Sequence, residues 1–391
     1  MTGRGRPAPL AVYIHWPYCA RICPYCDFNV VRARAGSDAM RLADAIAGDL
    51  AGQARLTGER RLASIFFGGG TPSLMAPEIA ARLIETTRRL WPTDGAVEVT
   101  LEANPADAER FAAFAAPGVE RLSLGVQSLD DAALAFLGRD HDAATARRAL
   151  DRALATFARV SIDLIYARPG QTPAAWAHEL ACAAALGAEH ISPYQLTIEP
   201  ETAFGRAAAR GALAAVDEDE ALALYETTQA VLEGAGYDAY EVSNHARGPA
   251  ARSRHNLAVW RGRDYVGAGP GAHGRLTLAG ARVATVGARR VSDYLARVAE
   301  AGVGFAVREP LTARESAEER LLFGLRTSEG VRWEDVAPLG LASAHPLIVE
   351  LVDGGWLAAT PAALAATAKG RPVLDHLTAR LAAADAPAHA A

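Results

Sequence analysis

The feature that most constrains the fold of this chain is a repeated exchange between two kinds of segment. Short β-branched or aromatic runs at residues 11–16, 64–67, 97–102, 121–126, 161–166 and 190–196 alternate with alanine-rich stretches of helical pattern, such as 39–56, 77–90 and 143–158. Runs this short, flanked by helices, read as buried parallel strands, and strand–helix repetition builds a parallel sheet. Six such units make a complete or three-quarter β/α barrel. The expected fold class is therefore α/β, a partial (β/α)6 barrel. After about residue 205 the regularity weakens: 217–234 reads as a helix, 237–242 as a strand, and 267–274 is glycine-rich. From about residue 309 the pattern changes again, with helices expected at 313–325, 333–339 and 348–355, so a small helical or winged-helix-like unit should follow the barrel. The expected organisation is a tail at 1–10, the barrel at 11–240, a barrel extension at 241–308, the small unit at 309–380 and a disordered tail at 381–391.

The same reading places the chemistry. Three cysteines follow the first strand, Gly68-Gly69-Gly70-Thr71 the second, Glu102 and Asn104 the third and Gln127 the fourth, while Asp163 falls on the fifth. The C-terminal ends of barrel strands form one active face, so these residues should gather around one site.

Composition narrows the class. With 391 residues, 50% hydrophobic and 22% charged, the chain has the balance of a soluble globular protein. A net charge of −5 gives no global attraction to nucleic acid, and no local basic patch suggests one. The N-terminus lacks the apolar core of a secretory signal, and no run reaches the roughly 18 apolar residues of a membrane span, so a cytoplasmic location is expected. Three of the four cysteines are clustered, which is a poor way to staple a chain of this size and points to metal.

Cys19-x3-Cys23-x2-Cys26 places three thiolates on one loop, which Pro17 and Pro24 keep from becoming helical. Three ligands leave one iron of a 4Fe-4S cubane open for a substrate or cofactor, and Cys182, deep in a helical stretch, is a poor fourth ligand. Structural zinc on the three cysteines and His15 is the alternative, although zinc ligands usually come from two separated knuckles. Gly69, Gly70 and Thr71 suit close backbone approach to a ligand, or simply a tight turn. Glu102, Gln127, Arg139 and Asp163 suit polar contacts to a ligand, or capping. Carboxylates suit ribose hydroxyls or an ammonium, and Arg139 suits a carboxylate.

The spacing of the cysteines, with Tyr25 before the last, resembles the radical S-adenosylmethionine superfamily. That resemblance implies S-adenosylmethionine chelated to the open iron and, on reduction, a deoxyadenosyl radical. Leu-Glu-Ala-Asn-Pro, Gly-Val-Gln-Ser, Gly-Arg-Asp-His and Asp-Leu-Ile-Tyr are similar to segments of the oxygen-independent coproporphyrinogen III oxidases and their relatives. The likeness implies an S-adenosylmethionine pocket lined by Glu102, Gln127, Arg139 and Asp163, with Tyr13 packed by the cluster.

Within that family two features are similar to the HemW-type heme chaperones. Phe28 stands where the oxidases carry a further cysteine, and only eighteen residues precede Cys19. His255-Asn256-Leu257-Ala258-Val259-Trp260 resembles a His-Asn-x-x-Tyr-Trp signature, with Val259 departing from the tyrosine. The resemblance implies heme as a ligand, with His255 as axial donor and Trp260 against the macrocycle, and a heme-acceptor protein, a membrane-associated respiratory enzyme, as partner. It also implies a homodimer and a peripheral membrane association. His255 could equally be a core histidine bonded to a backbone carbonyl; His273 is a second donor candidate, and His15 reads as a strand-end residue. The competing function is radical oxidative decarboxylation of coproporphyrinogen propionates.

Overall fold

The computed structural model describes residues 7–33 and 38–384. Most of both expected tails lies outside the described residues; β1 begins at Pro9, and the last helix runs to Ala382.

Six strands carry the site: β1 (Pro9–Trp16), β2 (Arg61–Gly69), β3 (Glu98–Ala103), β4 (Arg121–Gln127), β5 (Arg159–Tyr166) and β6 (His190–Gln195). They pair in sequence order, all parallel. The sheet continues through β7 (Asp238–Ala239), β8 (His245–Ala246), β9 (Asp264–Ala268), β10 (His273–Leu278), β11 (Ala281–Gly287) and β12 (Phe305–Pro310). The order is β12-β11-β10-β9-β1-β2-β3-β4-β5-β6-β8-β7. β9 joins β1 in parallel and the β9–β12 meander then runs antiparallel, so the parallel wall is an arc that β7 and β12 terminate.

Helices α1 (Ala39–Thr57), α2 (Pro77–Leu90), α3 (Ala143–Thr156), α4 (Pro173–Ala185) and α5 (Glu218–Gly234) follow β1, β2, β4, β5 and β6. Local chemistry starts them: Asp38, Asp142 and Thr172 accept from backbone N–H groups of the first turn, and Asp217 with Glu220 forms a reciprocal capping box. Leu42, Ile46 and Leu50 of α1, Leu83 of α2 and Leu150 of α3 meet the outer face of the sheet, where Val12, Ile65, Leu101, Leu122 and Ile162 point.

The inner face differs from an apolar strand core. Side chains alternate across a strand, and the residues between those outer hydrophobics are polar: Glu98, Thr100 and Glu102 on β3, Arg121 and Ser123 on β4, Ser161 and Asp163 on β5, His190 and Ser192 on β6. Hydrogen bonds satisfy much of this lining. Arg159 donates to Glu98 at 2.5 Å, Ser161 Oγ meets His190 Nδ1 at 2.7 Å, and Tyr240 Oη meets His190 Nε2 at 2.8 Å.

The last segment has its own core. Helices α8 (Ala313–Leu325), α9 (Pro346–Asp353) and α10 (Leu374–Ala382) pack with a three-stranded antiparallel sheet of Val331–Arg332, Ala363–Ala366 and Leu357–Ala359 around Leu321, Ile348 and Leu377. α6 (Arg254–Trp260) lies between barrel and small unit, touching β2 and α8, while α7 (Val291–Ala301) packs on α1.

Candidate functional site

The cysteine loop leaves the end of β1 and is closed at its neck. Val31 N–H donates to Pro17 O at 2.8 Å and Ala33 N–H to Cys19 O at 2.7 Å, forming a short parallel bridge. Cys19, Cys23 and Cys26 are all free thiols lining one cavity of about 410 Å³. Burial pushes the Cys26 thiol up to about 11 and raises Cys19 as well, while the Thr71 hydroxyl pulls Cys19 down. Among the described residues no three His, Cys, Asp or Glu side chains converge on a point that would hold a single metal ion. His15 is engaged at both ring nitrogens, Nδ1 with Tyr13 Oη at 3.0 Å and Nε2 with Asn29 O at 2.9 Å. The zinc alternative thereby loses its fourth ligand. Cys182 sits on α4 near His178 and does not line the cavity.

The glycine loop after β2 grips the start of the cysteine loop. Gly70 N–H donates to Trp16 O and Thr71 N–H to Tyr18 O, each at 2.8 Å. A Cβ on Gly70 would lie 2.7 Å from Tyr18 O, and one on Gly69, at φ 110°, would lie 2.4 Å from the His15 ring. These glycines are thus required by the approach of protein backbone and ring, and Gly69, Gly70 and Thr71 also face the cavity. Gly138, at φ 68°, does the same for the opposite wall, since a Cβ there would lie 2.6 Å from Pro24 Cδ. That contact sets Arg139 beside the cysteines: its Nη1 donates to Cys23 Sγ at 3.3 Å and its Nη2 to Gly125 O at 3.2 Å. Tyr25 packs on Phe204 and reaches both Cys23 and Arg139.

Glu102, Gln127, Arg139 and Asp163 all line the cavity with the cysteines. Glu102 Oε2 accepts from Gly69 N–H at 3.1 Å; burial first, and Asp163 second, push its carboxyl up to about 8. Asp163 accepts from Ser123 Oγ and is raised by burial too. Gln127 sits at φ 65° at the end of β4, an uncommon conformation for a side-chain-bearing residue. Its Oε1 and Arg139 Nε are buried without a hydrogen-bond partner. Two buried carboxyls whose burial Arg121 offsets only in part, an orphaned carbonyl and an unsatisfied guanidinium N–H match a ligand with positive charge, donors and a carboxylate. The donor set thus fits S-adenosylmethionine beside a thiolate-bound cluster.

The raised Glu102 carboxyl has a consequence for the ligand-free protein. A pKa lifted from the unfolded value of about 4.3 makes the fold most favourable below that value, and the advantage is lost as pH rises toward about 8. E102Q is expected to flatten the fall in Tm across that window in thermal melts; an unaltered slope excludes Glu102 as its source.

A second cavity of about 610 Å³ adjoins the first, with Asp27, Phe28, Gly69 and Glu102 in both walls. His15, His255 and His273 line it. His255 starts on α6, where Ser253 Oγ accepts from Asn256 N–H and Glu98 accepts from the Arg254 and His255 N–H groups at 3.1 and 3.0 Å. Its ring lies 4.9 Å from Phe66, and Nδ1 meets Ser64 Oγ at 3.1 Å. Burial lowers the imidazole to about 4, so it is neutral at pH 7, the form that ligates metal.

Two expectations shift. Tyr13 lines the second cavity rather than the cysteine cavity, and Trp260 lies on neither wall. Trp260 packs edge-on against Phe323 of α8 with Arg326 over its ring, because its position on α6 turns it toward the small unit; Val259 faces the cavity instead.

Residues 13–181 match the Radical SAM superfamily model. The chain is 39% identical to radical S-adenosyl methionine domain-containing protein 1, mitochondrial, of Bos taurus, over 96% of this chain and 88% of that one. It is 35% identical to heme chaperone HemW of Bacillus subtilis, over 82% and 84% respectively. The chain belongs to the HemW family of radical S-adenosylmethionine proteins. The solved structure of Escherichia coli coproporphyrinogen III oxidase (HemN), a radical SAM enzyme, superposes with a TM-score of 0.80 over 97% of this chain and 92% of that one. At 22% identity it shares the fold. Membership in the superfamily implies a 4Fe-4S cluster and S-adenosylmethionine.

For this HemW-family chain, sequence reasoning missed the polar layer beneath the cavities: the buried Glu98, Arg121, Ser64 and His190, with the half-buried Arg159 bonded to Glu98. The signal was present as polar residues at alternate strand positions, which a reading of whole runs as apolar passes over.

Proposed function

We propose that this protein binds heme and hands it to an acceptor protein, carrying a 4Fe-4S cluster on Cys19, Cys23 and Cys26 with exchangeable S-adenosylmethionine beside it. The observation that carries the reading is the pair of adjoining cavities: the cysteine cavity with its unsatisfied polar lining, and the second with a neutral His255. Relatives named heme chaperone HemW support it. When bound, the cluster and S-adenosylmethionine supply an electron relay and a cleavable sulfonium. The chain's own residues do the rest. Arg139 orients the methionine carboxylate, Glu102 and Asp163 receive ammonium or ribose hydroxyls, and Gln127 offers its free carbonyl. His255 gives the iron of heme a neutral nitrogen while Ser64 and Glu98 hold its ring and helix in place. The acceptor fits a membrane-associated respiratory hemoprotein; among the described residues no helix is long and apolar enough to cross a membrane.

Heme titration followed by transfer to an apo-acceptor tests the reading: stable binding and handover are expected. Sustained conversion of coproporphyrinogen III to protoporphyrinogen IX by the reconstituted protein would overturn it in favour of the oxidase. H255A is expected to weaken heme at least about tenfold, or about 1.4 kcal/mol; an unchanged heme spectrum and affinity removes His255 as ligand.

A further inference from the structure

The second cavity is chemically two-ended. Glu102 and His255 stand at its shared or buried side, and Tyr265, Val259 and Val286 supply ring and aliphatic wall. The end of the β10–β11 hairpin brings His273 opposite Val286, with Arg289 just beyond. Asn29 fastens this end to the cysteine loop, its Nδ2 donating to Pro270 O and Arg289 O at 2.9 Å each. The Arg289 side chain is exposed, and among the described residues its guanidinium has no hydrogen bond or ion pair; an electrostatic neighbour is His273. Elsewhere on this sheet arginines are paired, Arg275 with Glu319 and Arg282 with Asp264.

We propose that Arg289 anchors a propionate of heme at the mouth of the second cavity, so that the site selects a tetrapyrrole with free carboxylates over one without them. This rests on the reading that heme enters the His255 cavity. Heme is an apolar disc with both carboxylates on one edge. With the iron toward the imidazole and the disc against the apolar wall, that edge must leave where a cation waits. Asp27 also lines the cavity, on the cysteine-loop wall, and would repel a carboxylate there. The hairpin wall, with Arg289 and His273, is the side left for it. A guanidinium is a planar two-pronged donor matched to a carboxylate, and at an exposed mouth such a pair gives selectivity more than raw affinity.

Heme and heme dimethyl ester titrated into wild type, R289A, R290A and H255A test this. Arg290 is the neighbour that does not line the cavity. Wild type is expected to bind heme on the order of tenfold more tightly than the ester. R289A should lose that preference by weakening heme alone, R290A should keep it, and H255A should weaken both ligands with the preference retained. A preference undiminished in R289A, with both ligands still weakened by H255A, overturns the anchor and leaves the heme site standing. Affinities unmoved by H255A overturn the site, and the anchor with it.

Discussion

Serine in place of Cys19, Cys23 or Cys26 is expected to abolish the iron–sulfur cluster, with loss of visible absorption and of bound iron and sulfide after anaerobic reconstitution. The three thiols are the cysteines that line the cavity, and they leave no spare: Cys182 is on α4, outside it, so no fourth cysteine can step in when one is removed. The hydroxyl of serine is a harder, more weakly acidic donor than a thiol, poorly matched to iron–sulfur chemistry. Cys23 should show the largest secondary effect, because Arg139 donates to its sulfur and the two walls of the pocket meet there. S-adenosylmethionine affinity should fall with the cluster in all three variants. C182S is the control and should keep full iron. Full iron in any of the three variants, or its loss in C182S, contradicts the assignment.

The parts of this site that the sequence made legible are those written in local chemistry. Cysteine spacing on a loop that Pro17 and Pro24 keep from becoming helical announces a metal site, and site residues at the first five strands fall on one face because parallel strands share a direction. Gln127, Arg139, Glu102 and Asp163 do meet around one cavity. Other features depend on distances that only the folded chain sets. Gly70 is glycine because the Pro17–Tyr18 backbone comes against it, a contact across some fifty residues of sequence that no local pattern encodes. Trp260 and Val259 are adjacent on α6, yet one faces the small unit and the other the cavity; a motif read as a string gives both the same weight. In the sequence Phe28 stands out only as a missing cysteine, whereas its position in the wall between the two cavities follows from the loop's closure at Val31 and Ala33. The meander β9–β12, which brings His273 and Arg289 to the far wall of the second cavity, leaves only a glycine-rich trace in the sequence.

The polar layer under the cavities leads to the second large effect, E98A, which is expected to destabilise the protein by about 3–5 kcal/mol. Glu98 is buried and accepts from Arg159 and from two N–H groups at the start of α6. Burial pushes its carboxyl up, but Arg121, Arg159 and those N–H groups outweigh it, so its pKa lies below the usual value. Removing the carboxylate leaves the buried Arg121 without its nearest counter-charge, leaves Arg159 with Glu189 alone, and strips two backbone donors of their acceptor. The cost should appear as a large drop in Tm, and R159A should recover little of it, since the N–H groups stay unpaired. The pH dependence has a definite sign. A carboxylate with a depressed folded-state pKa stabilises the fold above the unfolded value of about 4.3, and that contribution is lost as pH falls through the folded value. E98A should therefore remove part of the acid sensitivity of the wild type. Because Glu98 holds the first turn of α6, the same substitution should loosen His255 and broaden the heme spectrum, an effect that a purely global loss of stability does not produce below Tm. A melt within about 1 kcal/mol of wild type, with an unchanged acid limb, contradicts this account of the buried layer.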